Sequence, residues 1–137
     1  MDTELPRGVR NNNPCNIEIE PGTNWLGLIG ADGPFAVFVK PEDGIRAAAK
    51  IFHNFQVLHG VSTILEAINR WAPSKAGNDT DAYVKDVCER LGVGPTDPVN
   101  FATLMPQLIP AIIAHESANY VYPPEIIATG IAAAGLT

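Results

Sequence analysis

The stretch that decides the fold class is KPEDGIRAAAKIFHNFQVLHG, residues 40–60. Its apolar side chains recur at helical spacing, at Ile45, Ala48, Ala49, Phe52, Phe55 and Leu58. Pro41 presets a helical backbone angle, and Glu42 and Asp43 face the positive end of the helix dipole. Gly60 suits the position just beyond a helix end, where the backbone turns left-handed. The pattern therefore predicts one long amphipathic helix over this stretch.

Further helix signals follow along the chain. Thr63 and Glu66 form a capping box that predicts a short helix to about residue 71, because Pro73 prevents its continuation. Residues 78–80 are typical of a second helix start, and Gly92 marks the end of that helix.

The last third of the chain is expected to hold a broken helix and a final one. Asn100 is a candidate cap, but Pro106 and Pro110 are expected to split or kink the helix, leaving a regular part at about residues 111–117. Residues 123–125, Pro-Pro-Glu, predict the start of a last helix that ends near Gly135.

The first forty residues differ from the rest of the chain. Residues 17–20 alternate with period two, and residues 25–29 and 36–39 flank the turn signal Asp32-Gly33. We therefore expect a small antiparallel sheet here. The whole pattern predicts a mainly helical α+β fold in one domain over residues 1–137, with a sheet and turn lobe in 1–40 and about five helices in 41–137.

Composition excludes several classes of function. Apolar residues make up 46% of the 137 residues and the net charge is −6, which argues against nucleic-acid binding through clustered Lys and Arg. The start of the chain lacks the apolar core of a secretion signal, and the longest apolar run, residues 108–114, is too short to insert in a membrane. No residue pattern indicates a metal or an organic cofactor, and Cys15 and Cys88 are expected to be unpaired packing residues.

Residues 7–16 form the first candidate site. Asn11, Asn12, Asn13 and Asn16 offer amide donors and acceptors of the kind that bind sugar hydroxyl and N-acetyl groups. The alternative is an asparagine-rich turn whose side chains bond to the local backbone.

Two further clusters carry candidate catalytic groups. Trp71 precedes Tyr83, which stands near a helix start and is a candidate to face a cleft; the alternative places Trp71 in the core. Glu116 closes an apolar helical segment, which partly removes its carboxyl from water and suits a general acid. The alternative is a surface glutamate at a frayed end, and we expect His115 to be solvated or to cap carbonyls.

Together these clusters resemble small phage and prophage proteins that are described as virion structural or peptidoglycan-degrading proteins. The resemblance rests on RGxRNNNPxNI at residues 7–17, WxG at 25–27, FxxFxxPEDGIRA at 35–47, INRWAP at 68–73, NDTxAYV at 78–84 and AIIxHE at 111–116. It covers roughly residues 5–135.

A more distant resemblance connects the chain to lysozyme-like glucosaminidases and lytic transglycosylases. In those enzymes a helix ends in E-S-G, and an asparagine segment, a W-x-G turn, an aromatic strand and a T-x-x-Y helix start follow. Here the order is the same, but the E-S pair comes last, as Glu116-Ser117. The resemblance thus implies a circularly permuted lysozyme-like domain. Ala118 stands where those enzymes have Gly, and Cys15 where the phage proteins usually have Gly.

The resemblance implies peptidoglycan cleavage between N-acetylmuramic acid and N-acetylglucosamine. Glu116 would be the acid/base, Tyr83 would orient or stabilise the N-acetyl group or the developing cation, and the asparagines would bind sugar. Trp25 and Trp71 would stack on sugar rings. A permuted domain also requires the end of the 111–117 helix to meet residues 11–17, with Glu116, Tyr83 and Asn13 lining one groove.

Three functions remain open from the sequence. A lytic transglycosylase needs only one acid/base, which favours it here, whereas a muramidase or glucosaminidase would need a second carboxylate from Glu18, Glu20 or Asp32. The third is a non-enzymatic virion protein that binds the wall or other virion proteins. The expected location is the virion or the bacterial cell wall, and the expected ligand is the glycan strand.

Overall fold

The computed structural model describes residues 4–73 and 77–136. In these ranges the chain is mainly helical and carries one two-stranded antiparallel sheet, which confirms the predicted α+β fold class. The elements run α1 (Arg7–Arg10), β1 (Leu28–Asp32), β2 (Phe35–Phe38), α2 (Pro41–His59), α3 (Ile64–Trp71), α4 (Thr80–Leu91), α5 (Phe101–Glu116) and α6 (Pro124–Ala133). The single-turn helix α1 was not predicted.

The predicted hairpin is present. Strands β1 and β2 pair antiparallel, with Asp32 opposite Phe35, and Gly33 takes a φ of 57° in the turn. The prediction of a strand over residues 17–20 is wrong. Only Glu18 forms a bridge, to Phe35, with flanking bonds from the Ala36 N–H to the Ile17 carbonyl at 3.0 Å and from the Ile19 N–H to the Pro34 carbonyl at 2.8 Å. The pairing ends there because Glu20 enters a turn, in which its carbonyl accepts from the Thr23 N–H at 3.1 Å.

Helix α2 has the bounds and caps that its sequence predicts. Pro41 stands in its first turn with Glu42 and Asp43, and Gly60 ends it with a φ of 68°. Gly44 allows the asparagine loop to approach, since a Cβ there would overlap with the carbonyl oxygen of residue 12. The helix thereby holds the N-terminal loop against the helical part of the molecule.

Helices α3 and α4 also begin at their predicted caps. The Thr63 hydroxyl accepts from the Glu66 N–H at 3.2 Å, and the Asp79 carboxylate accepts from the Ala82 N–H at 3.1 Å. Gly92 ends α4 with a φ of 70°. These local interactions set the position of the first turn of α4, where Tyr83 lies.

Helix α5 is continuous, so the expected split at Pro106 and Pro110 is wrong. Asn100 caps it as expected, accepting from the Thr103 N–H at 3.0 Å, but the helix runs unbroken through Pro106 and Pro110. Both prolines are exposed and lie four residues apart on one face. The buried face of the helix packs into the core, so burial outweighs the backbone hydrogen bonds that the two prolines remove.

One cluster of buried apolar residues extends from Cys15 to Ala134 and joins the hairpin to the helices. Cys15 and Cys88 are both buried and free, as predicted. In the two described ranges, no helix combines the length and apolar character needed to cross a bilayer.

Candidate active site

Glu116 is the last residue of α5, and two side chains hold its carboxylate. The Tyr83 hydroxyl donates to Glu116 Oε2 at 2.7 Å, and the Asn16 amide donates to Oε1 at 3.1 Å. The Asn16 amide also donates to the Glu116 carbonyl at 3.1 Å. Each carboxylate oxygen keeps a second lone pair, so the group is oriented without losing its capacity to exchange a proton.

Tyr83 is 2% exposed, so its hydroxyl is available to Glu116 and not to a ligand. Burial, together with the neighbouring Glu116 carboxylate, raises the pKa of Tyr83 well above its usual value, and the hydroxyl remains a hydrogen-bond donor. It accepts in turn from Trp71 Nε1 at 3.0 Å. Tyr83 therefore positions Glu116; it does not line the cleft, and its direct role toward a substrate stays a prediction.

His115 supports Tyr83 from its other side. The two rings stack with centroids 3.7 Å apart, and His115 Nδ1 lies 2.7 Å from Asp86 Oδ2. Burial raises the pKa of Asp86, but the hydrogen bonds from His115 and Arg90 together lower it by more. The net shift of this pKa is therefore downward. Arg90 also donates to the Asn119 side chain at 2.8 Å. These contacts tie α4 to α5 around the Tyr83–Glu116 pair, which is a larger role than the one expected for His115.

The end of α5 meets the N-terminal loop, as the permuted arrangement requires. The buried Ser117 hydroxyl donates to the Pro14 carbonyl at 2.7 Å, 103 residues away in sequence. Gly8 permits this approach, because a Cβ there would lie 2.7 Å from Ser117 Oγ and 2.8 Å from Asn16 Oδ1. Ala118 has a φ of 52°, in the left-handed region that favours the glycine of the E-S-G pattern.

A cleft of about 710 Å³ opens beside Glu116. One wall comes from the N-terminal loop and hairpin, and the other from α2, α3 and the start of the α4 segment. Its polar and aromatic lining residues are Arg7, Asn16, Glu18, Glu20, Thr23, Trp25, Phe35, Phe55, Arg70, Trp71, Asn78 and Glu116. The carboxylate thus lies in a groove whose walls present both aromatic rings and polar groups, the combination that sugar binding requires.

Comparison with known proteins places the chain among phage proteins. No protein-family model matches it. Protein P5 of Pseudoalteromonas phage PM2 is 36% identical over 131 residues, which cover 93% of this chain and 81% of that protein. The chain belongs to the Protein P5 family. The phage part of the sequence resemblance is thereby confirmed, and the name of Protein P5 states no activity.

Three of the predicted sugar-binding asparagines have structural roles in this P5-family protein. Asn13 is fully buried; its amide donates to the Ile17 and Ala36 carbonyls at 2.9 Å, and its Oδ1 accepts from the Ile17 N–H. The amides of these three residues bond to the protein itself, as the turn interpretation held, and none of the three lines the cleft, so sugar binding by them stays a prediction.

Asn11 and Asn12 fix the same loop. The Asn11 amide donates to Asp32 Oδ2 at 3.2 Å, and the Asn12 amide donates to the Phe38 and Val39 carbonyls at 3.2 and 3.1 Å. Asn12 and Asn16 have positive φ values of 53° and 54°, which asparagine tolerates better than most residues. Asn16 alone among the four lies at the cleft and contacts Glu116.

The two tryptophans line the cleft as predicted, but they differ in what they can offer. Trp71 stacks on Phe52 at 4.6 Å and donates to Tyr83, so part of it serves the core, as its alternative interpretation held. Trp25 is half-buried and belongs to the hairpin wall. Trp25 is therefore the better placed ring for stacking on a sugar.

The candidate second carboxylates separate into two groups. Glu18 and Glu20 line the cleft, on the same side as Trp25. Asp32 does not belong to the lining and accepts from Asn11 at the hairpin turn. The structure therefore leaves Glu18 and Glu20 as the carboxylates that share the groove with Glu116.

Sequence reasoning missed several lining residues. Arg7, Arg70 and Asn78 were inside quoted motifs but received no role, and Phe35 and Phe55 were treated as strand and helix-face residues. The available signal was Arg70 next to Trp71; Arg7 has no aromatic neighbour in the sequence and meets Phe35 only in the fold. That signal became informative only once the fold placed both arginines on one groove.

Proposed function

We propose that this chain cleaves the glycan strand of peptidoglycan, acting as a lytic transglycosylase with Glu116 as its acid/base. The observation that carries the proposal is the carboxylate of Glu116, oriented by Tyr83 and Asn16 at the wall of a cleft with aromatic sides. The permuted lysozyme-like arrangement is an inference from the sequence. The contact between Ser117 and Pro14 fits it, whereas Tyr83 and Asn13 lie outside the cleft lining that it expected them to share with Glu116. Membership in a phage family fits a protein that acts on a bacterial wall from the virion.

The reaction would proceed in two steps. Glu116, protonated, gives its proton to the glycosidic oxygen, and the bond from that oxygen to C1 of N-acetylmuramic acid breaks. The released N-acetylglucosamine end leaves with a free 4-hydroxyl. The 6-hydroxyl of the muramic acid then attacks C1, and the Glu116 carboxylate accepts its proton, which forms a 1,6-anhydro ring and restores the acid.

Substitution of Glu116 tests the activity. Glu116→Gln keeps the size of the side chain but cannot transfer the proton, so release of labelled fragments from purified peptidoglycan should fall by at least about 10²-fold. Glu89→Gln on the exposed face of α4 is the matched control and should retain full activity. Turnover that persists in a folded Glu116→Gln protein, verified by circular dichroism, would show that the assignment is wrong.

The products distinguish the transglycosylase from a hydrolase. Mass spectrometry of the fragments should find 1,6-anhydromuramic ends, and the double variant Glu18→Gln/Glu20→Gln should leave that product unchanged. Reducing ends as the sole product, lost in the double variant, would instead identify a hydrolase in which one of these carboxylates assists Glu116.

A second candidate function is that of a virion component without enzymatic activity. The hairpin region exposes large apolar side chains, with Leu26 at 61%, Ile29 at 66% and Val39 at 57% exposure. Such a surface favours contact with another protein. This function predicts that wild-type protein leaves peptidoglycan intact while polar substitutions at these three positions abolish incorporation into virions.

A further inference from the structure

Two arginine side chains in the cleft have no carboxylate partner among the residues that the structure describes. Among the described residues, the ion pairs of basic side chains are those of Arg10, Lys85, Arg90 and His115. Arg7 and Arg70 belong to none of them, and both line the groove beside Glu116. A protein with a net charge of −6 thus leaves two guanidinium groups unpaired in its candidate active site.

Each of these arginines lies against an aromatic ring. The Arg7 guanidinium carbon is 4.1 Å from the centre of the Phe35 ring, and that of Arg70 is 6.0 Å from the centre of the Phe55 ring. The Arg7 contact is a close cation–π contact that restrains the planar group, whereas the Arg70 contact lies at the outer limit of the range. The guanidinium N–H donors of neither arginine bond to another described residue. Arg7 contacts Phe35 of the hairpin and Arg70 contacts Phe55 of α2, and both arginines line the groove in which a ligand would lie.

The charges in the groove narrow the class of ligand. A neutral glycan offers nothing that needs a guanidinium group. A dense polyanion would be repelled by Glu18 and Glu20, which line the same groove. A chain that carries separate carboxylates fits both facts, because a carboxylate accepts two parallel N–H donors from one arginine.

We propose that Arg7 and Arg70 bind free carboxylates of the peptides attached to the glycan strand, so that peptide-bearing peptidoglycan is the preferred substrate. This inference rests on the proposed function and specifies its substrate. Glu116 acts on the sugar backbone, while the arginines select strands whose muramic acid residues still carry their peptides.

The experiment compares two substrates and five variants. Glycan strands with intact peptides, and the same strands after an amidase has removed the peptides and the lactyl carboxylates so exposed have been converted to amides, are digested by the wild type and by Arg7→Gln, Arg70→Gln, Arg7→Lys, Arg70→Lys and Lys85→Gln. The glutamine variants should raise KM on peptide-bearing strands about tenfold with kcat unchanged, and the lysine variants should recover part of the loss. Lys85→Gln, which removes a positive charge outside the cleft, should match the wild type.

Strands without peptides provide the decisive comparison. On them the wild type should already show the raised KM, and the glutamine variants should lose nothing more. Equal KM values of the wild type on both substrates, or equal losses in the variants on both, would overturn the inference while the proposed function stands.

Failure of the proposed function is a separate outcome. A wild-type protein that cleaves neither substrate contradicts the proposed enzymatic activity, and co-sedimentation with the two kinds of strand then tests the arginines directly. Binding to peptide-bearing strands that depends on Arg7 and Arg70 would support the inference, and equal binding to both kinds would refute it.

Discussion

Replacement of Tyr83 by Phe tests the central feature of the site, the buried hydroxyl that orients Glu116. Phe retains the ring and its contact with His115 but removes the donor to Glu116 Oε2, 2.7 Å away, and the acceptor of Trp71 Nε1, 3.0 Å away. A hydrogen bond to a charged group contributes about 1.5–3 kcal/mol and a neutral one about 1 kcal/mol. Since water at the cleft can replace part of the bond to Glu116, we expect a loss of about 2 kcal/mol at neutral pH.

The pH dependence of that loss has a definite sign. Burial and the Glu116 carboxylate raise the pKa of Tyr83 in the folded protein above its ordinary value of 10.0. The unfolded chain therefore ionises Tyr83 first, and the stability that the protonated hydroxyl provides is complete below pH 10 and lost as the pH rises. Above that pH, the ionisation of this one group in the unfolded chain lowers the free energy of unfolding of the wild type by about 1.4 kcal/mol for each further pH unit. The phenylalanine ring of the variant has no proton to lose.

Urea unfolding of both proteins, followed by tryptophan fluorescence, measures the difference. The wild type should be about 2 kcal/mol more stable than Tyr83→Phe at neutral pH, and the gap should close at about pH 11.5. Burial also raises the pKa of Cys15 and Tyr122, but these groups are present in both proteins and cancel in the difference. A gap that stays constant through the alkaline range, or no gap at neutral pH, would refute the buried hydroxyl pairing.

The remaining predictions concern the backbone around the site. Gly8→Ala places a Cβ 2.7 Å from Ser117 Oγ, so thermal unfolding should show a loss of about 1–3 kcal/mol, while Gly30→Ala, with open space around it, should cost about 0.5 kcal/mol or less. Equal melting temperatures for the two variants would contradict the close approach. Ala118→Gly relieves the left-handed conformation and should stabilise the fold by about 0.5–1 kcal/mol, whereas Ala114→Gly within α5 should destabilise it by about 1 kcal/mol. A destabilised Ala118→Gly protein would show that the φ of this residue carries no strain.

The elements that could be predicted are those whose determinants lie within a few residues of one another. The caps at Thr63, Asp79 and Asn100 and the glycine at residue 60 act through backbone groups one turn away, so their meaning can be read from the sequence. The hairpin turn at Gly33 belongs to the same class. The helical fold class and most helix bounds follow from these local interactions.

The elements that could not be predicted depend on distant partners. Pro106 and Pro110 remain inside α5 because its other face is buried, and the pattern of the segment alone does not reveal how much burial opposes the lost hydrogen bonds. Likewise, Asn13 and Asn16 have the same side chain three residues apart. One bonds to the backbone of residues 17 and 36 in the core and the other to Glu116 at the cleft.

Sequence alone thus determined where most of the helices begin and end, and that a carboxyl would close an apolar helix. The tertiary structure decided that Glu116 meets Asn16, 100 residues away, and Tyr83, 33 residues away. It also decided that Arg7 and Arg70 line one groove. Capping and periodicity are short-range effects that a few neighbouring residues specify, whereas a site is assembled by the packing of whole elements, whose relative positions depend on the entire core.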